Sequence, residues 1–256
     1  MDNQFLEKLL SDLYKNDISV NEAFSQLKDL PFKDLGFAKI DHHRALRKGY
    51  PEVIFCQSKS PEQVVAIVKN QIDHNETVFG TRANETVINA VKENFPNMEI
   101  DSDARCFWLK SEAWRPRESK GNIYICTGGT ADYVVALECK RTIEILGHKA
   151  ILLSDIGVSG IHRLLSYREE LNKASVIIAI AGMEGALASV IAGFVSCPVI
   201  GVPTSVGYGS HLNGLVSLFA MLNSCASGLT VVNIDNGFGA ACAAVSINEI
   251  RDNQRV

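Results

Sequence analysis

The apolar positions change rhythm along the chain. Between residues 5 and 30 they recur at helical spacing, first Phe5, Leu9, Leu10 and Leu13, then Ala23, Leu27 and Leu30. This predicts two short amphipathic helices over 1–36, ended by Pro31 and Gly36. A polar connector follows from Asp41 to Arg47. Val53–Cys56, Val78–Gly80 and Cys106–Leu109 are short apolar runs suited to strands. Ser60-Pro61-Glu62-Gln63 reads as a helix start, with serine at the cap and proline at the first position, and another helix is expected near 84–94. A small α/β domain is therefore expected over 37–118, closed by a polar linker from Glu112 to Lys120.

Beyond the linker the pattern becomes regular. Continuous apolar runs at Ile123–Cys126, Ala150–Leu153, Val176–Ala181, Pro198–Val202 and Thr230–Ile234 alternate with helical stretches near 132–146, 160–173, 185–195, 212–224 and 238–250. Strands with no polar face, each followed by a helix, predict a parallel sheet of five strands covered on both sides, as one α/β domain over 119–256. In such a sheet the ligand sits at the carboxyl ends of the strands.

Charge thins sharply along the chain: from Gly185 to Ile234 no Asp, Glu, Lys or Arg occurs. Gly193, Pro198, Gly201, Pro203, Gly207 and Gly209 interrupt this stretch before it could span a bilayer, so no membrane partner is expected. Burial against sister subunits explains it instead, and a homo-oligomer is expected. The net charge of -4 and the absence of a basic stripe argue against a nucleic-acid partner. The seven cysteines match neither a CxxC metal site nor a disulfide framework, and the N-terminus lacks a signal-peptide pattern; a cytoplasmic protein with reduced thiols is expected.

Four loops at strand ends can carry chemistry. Thr127-Gly128-Gly129-Thr130-Ala131-Asp132 opens into a helix whose first N–H groups favour an anion; Thr130 adds a hydroxyl, and Asp132 either accepts from a ribose or caps the helix. The run is not GxGxxG, which disfavours a dinucleotide oxidoreductase. The second loop holds Asp155, with His162 in the following helical turn. In the third, Glu184 stands between Gly182 and Gly185 at a helix N-terminus, either as a proton acceptor or as a simple helix-end charge. The fourth, Pro203 to His211, offers Ser205, Gly207, Tyr208 and Gly209 as an anion cradle, with His211 as its basic side chain. Cys126, Cys139, Cys197 and Cys242 read as small buried hydrophobes, whereas Cys225 has small polar neighbours that suit an open position.

Together and in order, Gly129-Thr130-Ala131-Asp132, Gly182-Met183-Glu184-Gly185, Gly201 to Gly209 and Asn233 to Gly239 resemble the pyridinium-3,5-biscarboxylic acid mononucleotide synthase family, which begins synthesis of the nickel-pincer nucleotide cofactor of lactate racemase. The run Asp41, Arg44, Arg47-Lys48-Gly49-Tyr50-Pro51-Glu52 is similar to it too. The second half is also similar to the aminoimidazole ribonucleotide carboxylase family, which implies a flavodoxin-like sheet and favours an octamer. The resemblance implies a carboxylase that takes nicotinic acid adenine dinucleotide and carbon dioxide or bicarbonate, with Mg²⁺ carried by the substrate phosphates and no protein metal site. Cys225 would be the nucleophile and Glu184 the proton acceptor, supported by Asp155 and His211. Gly129, Thr130, Asp132, Gly182, Ser205, Gly207, Tyr208 and Gly209 would hold substrate. Related carboxylases often carry serine at the place of Ala131, one hydroxyl more than this chain offers. The rival readings are an aminoimidazole ribonucleotide carboxylase or mutase and a non-catalytic nucleotide-binding regulator.

Overall fold

The structure, a computed structural model, describes residues 3–27, 32–118 and 121–253. The expected positions of Leu30, Pro31 and Lys120 lie outside them. The chain forms two compact units, Met1–Arg115 and Pro116–Val256.

In the first unit, helices α1 (Asn3–Tyr14) and α2 (Val20–Leu27) match the amphipathic pattern. A ribbon of β1 (Lys33–Asp34) and β2 (Lys39–Ile40) precedes α3 (Arg44–Lys48), a helix where a connector is expected; Gly49 ends α3 in the left-handed region, φ 76°. The core is a four-stranded sheet in the order β3 (Ile54–Phe55), β4 (Val78–Thr81), β6 (Cys106–Leu109), β5 (Glu99–Asp101). β3 and β4 run parallel, and the rest are antiparallel. Helices α4 (Pro61–Asp73) and α5 (Glu85–Asn94) accompany this sheet and pack on each other. Ser60 and Gln63 form the capping box of α4. Gly80 lies under the Phe107 ring: an added Cβ would stand 2.2 Å from its Cζ.

The second unit carries the five-stranded parallel sheet in the order β11 (Leu229–Val231), β10 (Val199–Pro203), β9 (Val176–Ala181), β7 (Ile123–Thr127), β8 (Ala150–Leu153). This is the flavodoxin-like order. Residues of β7, β9 and β10 are buried on both faces, which is why their sequences show continuous rather than alternating apolar runs. On one face lie α6 (Tyr133–Ile145) and α11 (Gly237–Asn253). Their approach is close: a Cβ on Gly237 would lie 2.4 Å from the Val135 carbonyl oxygen. On the other face α9 (Ala186–Ala192) and α10 (Leu215–Leu222) cover β9, β10 and β11, and Leu164 and Leu171 join the same core.

Two elements of the second unit also depart from their pattern. The single helix expected over 160–173 is broken into α7 (Ile161–Ser166) and α8 (Arg168–Leu171). The Ser166 hydroxyl donates back to the Arg163 carbonyl, and the Tyr167 N–H bonds Leu164 instead of continuing the α ladder. The last strand ends at Val231 rather than Ile234, because Asn233 to Asn236 close a turn with Asp235 at φ 57°. No helix among the described residues is long and apolar enough to cross a membrane.

The Gly80–Phe107 contact tests the first unit's packing. Gly80→Ala forces the ring out of the core and is expected to cost about 1–3 kcal/mol. Urea denaturation with unchanged slope and a lowered midpoint is the expected result.

Candidate active site

The central strands β7 and β9 send their chains to opposite sides, β7 through α6 to β8 and β9 through α9 to β10. A crevice opens at such a reversal, at the carboxyl ends of the strands. The loops meet there backbone to backbone. The Gly128 N–H donates to the Ile180 carbonyl at 2.9 Å. A Cβ on Gly157 would lie 2.4 Å from the Gly128 oxygen, and one on Gly182 would lie 2.1 Å from the Val206 oxygen. Glycine at 157 and 182 is thus what lets the second loop touch the first and the fourth touch the third.

Asp132 fastens this cluster. Its side chain is buried; Oδ1 accepts from the Thr204 hydroxyl at 2.6 Å and Oδ2 from the Gly129 N–H at 2.9 Å. Burial pushes its pKa above the usual carboxylate range, the Thr204, Gly129 and Gly182 donors pull it back, and Asp235 adds a smaller upward push; the net shift is upward. One carboxylate therefore binds the first, third and fourth loops. The sequence leaves Asp132 either accepting from a ribose or capping the helix; the structure shows the cap, with the carboxylate turned inward and the Gly129 N–H at the start of the 3₁₀ turn as a donor to it. Thr204 escapes sequence reading, because a threonine after a proline carries no local signal of a partner 72 residues away.

Thr130 is exposed on a 3₁₀ turn, Thr130–Asp132, that leads into α6. Asp155 is left-handed, φ 57°, its N–H bound to the Thr127 hydroxyl and its half-exposed carboxylate paired with Arg163. Glu184 is exposed between left-handed Met183 (φ 50°) and Gly185 (φ 67°), with no hydrogen bond or ion pair among the described residues. In the fourth loop the Ser205 N–H donates to Asp235 Oδ1 at 2.8 Å, so this donor is held internally rather than offered to an anion. Gly207, Tyr208 and Gly209 form an exposed tip. A Cβ on Gly207 would stand 2.8 Å from the His211 ring, and the Gly214 N–H donates to His211 Nδ1 at 3.3 Å. That bond makes Nδ1 the acceptor and puts the ring proton on Nε2.

Cys225 stands apart from the loop cluster. It follows α10 and precedes β11, and the Gly228 carbonyl three residues on accepts from Val199 at the start of β10. It therefore approaches from the amino-terminal edge of the sheet. The Ser189 hydroxyl donates to Ser224 at 2.8 Å and holds this segment against α9, about one turn past the helix start. Cys225 is the exposed thiol of the seven; Cys56, Cys106, Cys126 and Cys139 are buried, and Cys197 and Cys242 are half-buried. Burial raises Cys56 to about 12 and pushes Cys126 and Cys139 further up. Among the described residues no group of three or more His, Cys, Asp and Glu is placed to hold a metal ion.

Comparison with known proteins divides the chain in two. Residues 32–112 match the family described as LarB/PurE-like N-terminal domain, and residues 122–255 match AIR carboxylase. An uncharacterized protein of Methanocaldococcus jannaschii, MJ0165, is 37% identical over 96% of this chain and 97% of its own length. The N5-carboxyaminoimidazole ribonucleotide mutase of the same organism is 32% identical over 51% of this chain and 80% of its own. A crystal structure of a Treponema denticola PurE2 variant with one substitution aligns with 56% of this chain and 96% of its own, at 15% identity and a TM-score of 0.38.

The raised pKa of Asp132 gives the loop cluster a pH signature. The folded state holds this proton more tightly than the unfolded chain, so its contribution to stability is complete below the unfolded pKa, near ~4, and is lost as pH rises through the folded value. Denaturation midpoints measured across that window are expected to fall with rising pH in the wild type. Asp132→Asn is expected to be less stable overall and to lack this component of the slope.

Proposed function

Because this chain belongs to the AIR carboxylase family, in the branch with a LarB/PurE-like N-terminal domain, we propose that its carboxylation acts on the pyridinium ring of nicotinic acid adenine dinucleotide. Hydrolysis of the phosphoanhydride accompanies it, giving pyridinium-3,5-biscarboxylic acid mononucleotide and AMP.

The observation that carries this reading is the exposure of Cys225 in a chain whose other thiols are buried or half-buried. A pyridinium ring is electron-poor and does not attack carbon dioxide. Addition of the Cys225 thiolate to the ring carbon para to nitrogen neutralises the ring and makes the neighbouring carbon an enamine nucleophile. That carbon forms the new bond to carbon dioxide. A base, for which exposed Glu184 is the candidate, takes the proton from it. The carbon–sulfur bond then breaks, the thiolate leaves, and the ring regains its aromaticity. Water cleaves the phosphoanhydride. Exposed Thr130, Ser205 and the Gly207–Gly209 tip are the candidates to hold phosphate and ribose, and Asp132 and Gly182 keep those loops in shape. A Mg²⁺ carried in on the substrate's own phosphate oxygens would neutralise the charge that builds up there.

The reading includes a homo-oligomer, with an octamer favoured by family resemblance. Leu212, Leu215, Phe219 and Leu222 are exposed at helical spacing leading into and along α10, inside the stretch without charged side chains and just before Cys225. Packing of copies over this face would remove it from water and set the Cys225 segment of one copy at a subunit boundary. A purine-type carboxylase or mutase is the second reading, supported by the similarity to the M. jannaschii mutase. Its substrate is already electron-rich and has no use for the thiol.

Incubation with the dinucleotide, Mg²⁺ and labelled bicarbonate is expected to give labelled biscarboxylated mononucleotide and AMP by mass spectrometry. Cys225→Ala is expected to lower that yield by roughly 10³-fold or more. Dinucleotide recovered intact and unlabelled, with label entering aminoimidazole ribonucleotide instead, would move the assignment to the purine substrate. The oligomer is checked separately by light scattering. Phe219→Glu is expected to shift the mass toward the 27.9 kDa chain, and a wild type already at that mass would refute the assembly.

A further inference from the structure

The first unit has its own ligand-sized groove, remote in sequence from the loops described above. β3 and β4 are parallel and joined by α4, so their carboxyl ends reach the same edge of the small sheet. Arg82 follows β4 there, and Arg105 closes the turn that leads into β6. Both arginines are left-handed, with φ of 52° and 54°, in turns where glycine or asparagine is the usual occupant. The turns are clasped: the Ala83 N–H donates to the Arg105 carbonyl at 2.9 Å, and Arg105 Nε donates to the Ala83 carbonyl at 3.3 Å. That clasp aims the guanidinium, whose two terminal nitrogens make no hydrogen bond among the described residues. Arg105 lines a groove of about 510 Å³ with Asn84, Glu85, Ile88, Asn89 and Ser102. The volume is in the range of small-ligand sites.

We propose that this groove is a binding site for a nucleoside 5′-monophosphate. A fixed guanidinium suits the phosphate. A carboxylate suits the vicinal hydroxyls of a ribose, Asn84, Asn89 and Ser102 add hydrogen bonds, and Ile88 supplies an apolar wall for the base. Adenylate is the choice of ligand that rests on the proposed function, as free AMP or as the adenylate half of the dinucleotide; the groove chemistry is the same for both.

Calorimetric titration of the full-length protein with AMP and with adenosine tests the site. AMP is expected to bind, with adenosine at least tenfold weaker. Arg105→Ala is expected to weaken AMP at least tenfold, and Glu85→Gln, an exposed position that leaves the clasp intact, severalfold. AMP failing to bind the wild type, adenosine binding equally well, or both variants binding AMP like the wild type would overturn the proposal. Titration with the dinucleotide separates the sources. A loss in Arg105→Ala equal to that for AMP assigns the groove to the adenylate half, and an unchanged affinity assigns it to free AMP. Carboxylation is scored independently by mass spectrometry, so a failed synthase reading leaves the AMP titration standing, and the converse holds as well.

Discussion

The loop edge of the second unit depends on one buried carboxylate. Asp132 is surrounded by donors from three loops that are far apart in sequence and belong to different strands. A charge in that position is costly, and the donors offset only part of that cost; removing any one of them leaves the remainder to bear the desolvation. The arrangement therefore acts as a single unit. Glycines at 157 and 182 are required because the loops meet through backbone atoms, and Thr204 is required because its hydroxyl reaches Oδ1. What remains exposed, Thr130, Glu184 and the 207–209 tip, is the part of each loop that this tie does not use.

The legibility of the chain follows the range of the forces. Elements set by local pattern are readable: Ser60 and Pro61 start α4, and continuous apolar runs mark β8 and β9 to the residue. Elements set by pairing are not. β5 is Glu99-Ile100-Asp101, polar at two of three positions, and becomes a strand because β6 lies beside it. Likewise the loops are recognisable from their glycines, but the inward turn of Asp132 is not, because its partner Thr204 is brought near only by the sheet order. The Asp155–Arg163 pair, eight residues apart across one loop, is of the short range that a sequence can disclose, yet no spacing rule outside a helix singles it out.

The uncharged stretch and the exposed thiol belong to the same piece of structure. α10 shows its apolar residues outward, and Ser224 fastens the segment after it to α9. α9 in turn begins just beyond Glu184. The α10 face is thus linked through α9 to the loop that carries the proposed proton acceptor. A lone exposed cysteine in a monomer would be open to adventitious oxidation, which packing of copies over this face would limit.

A common device recurs at the strand exits of both units. Asp155 after β8, Met183 after β9, Asp235 after β11 and Arg82 after β4 are all non-glycine residues in the left-handed region. Such a conformation costs of order 1–3 kcal/mol each and survives only where its surroundings over-determine it. Each of the first three is held by a hydrogen bond of its own N–H: Asp155 to Thr127, Met183 to Val206, Asp235 to Pro203. The chain leaves each strand by a sharp turn of this kind rather than by a smooth continuation. Abrupt exits of this sort keep the connecting loops short while the strands beneath stay paired. The small sheet repeats the arrangement with arginine at the turn.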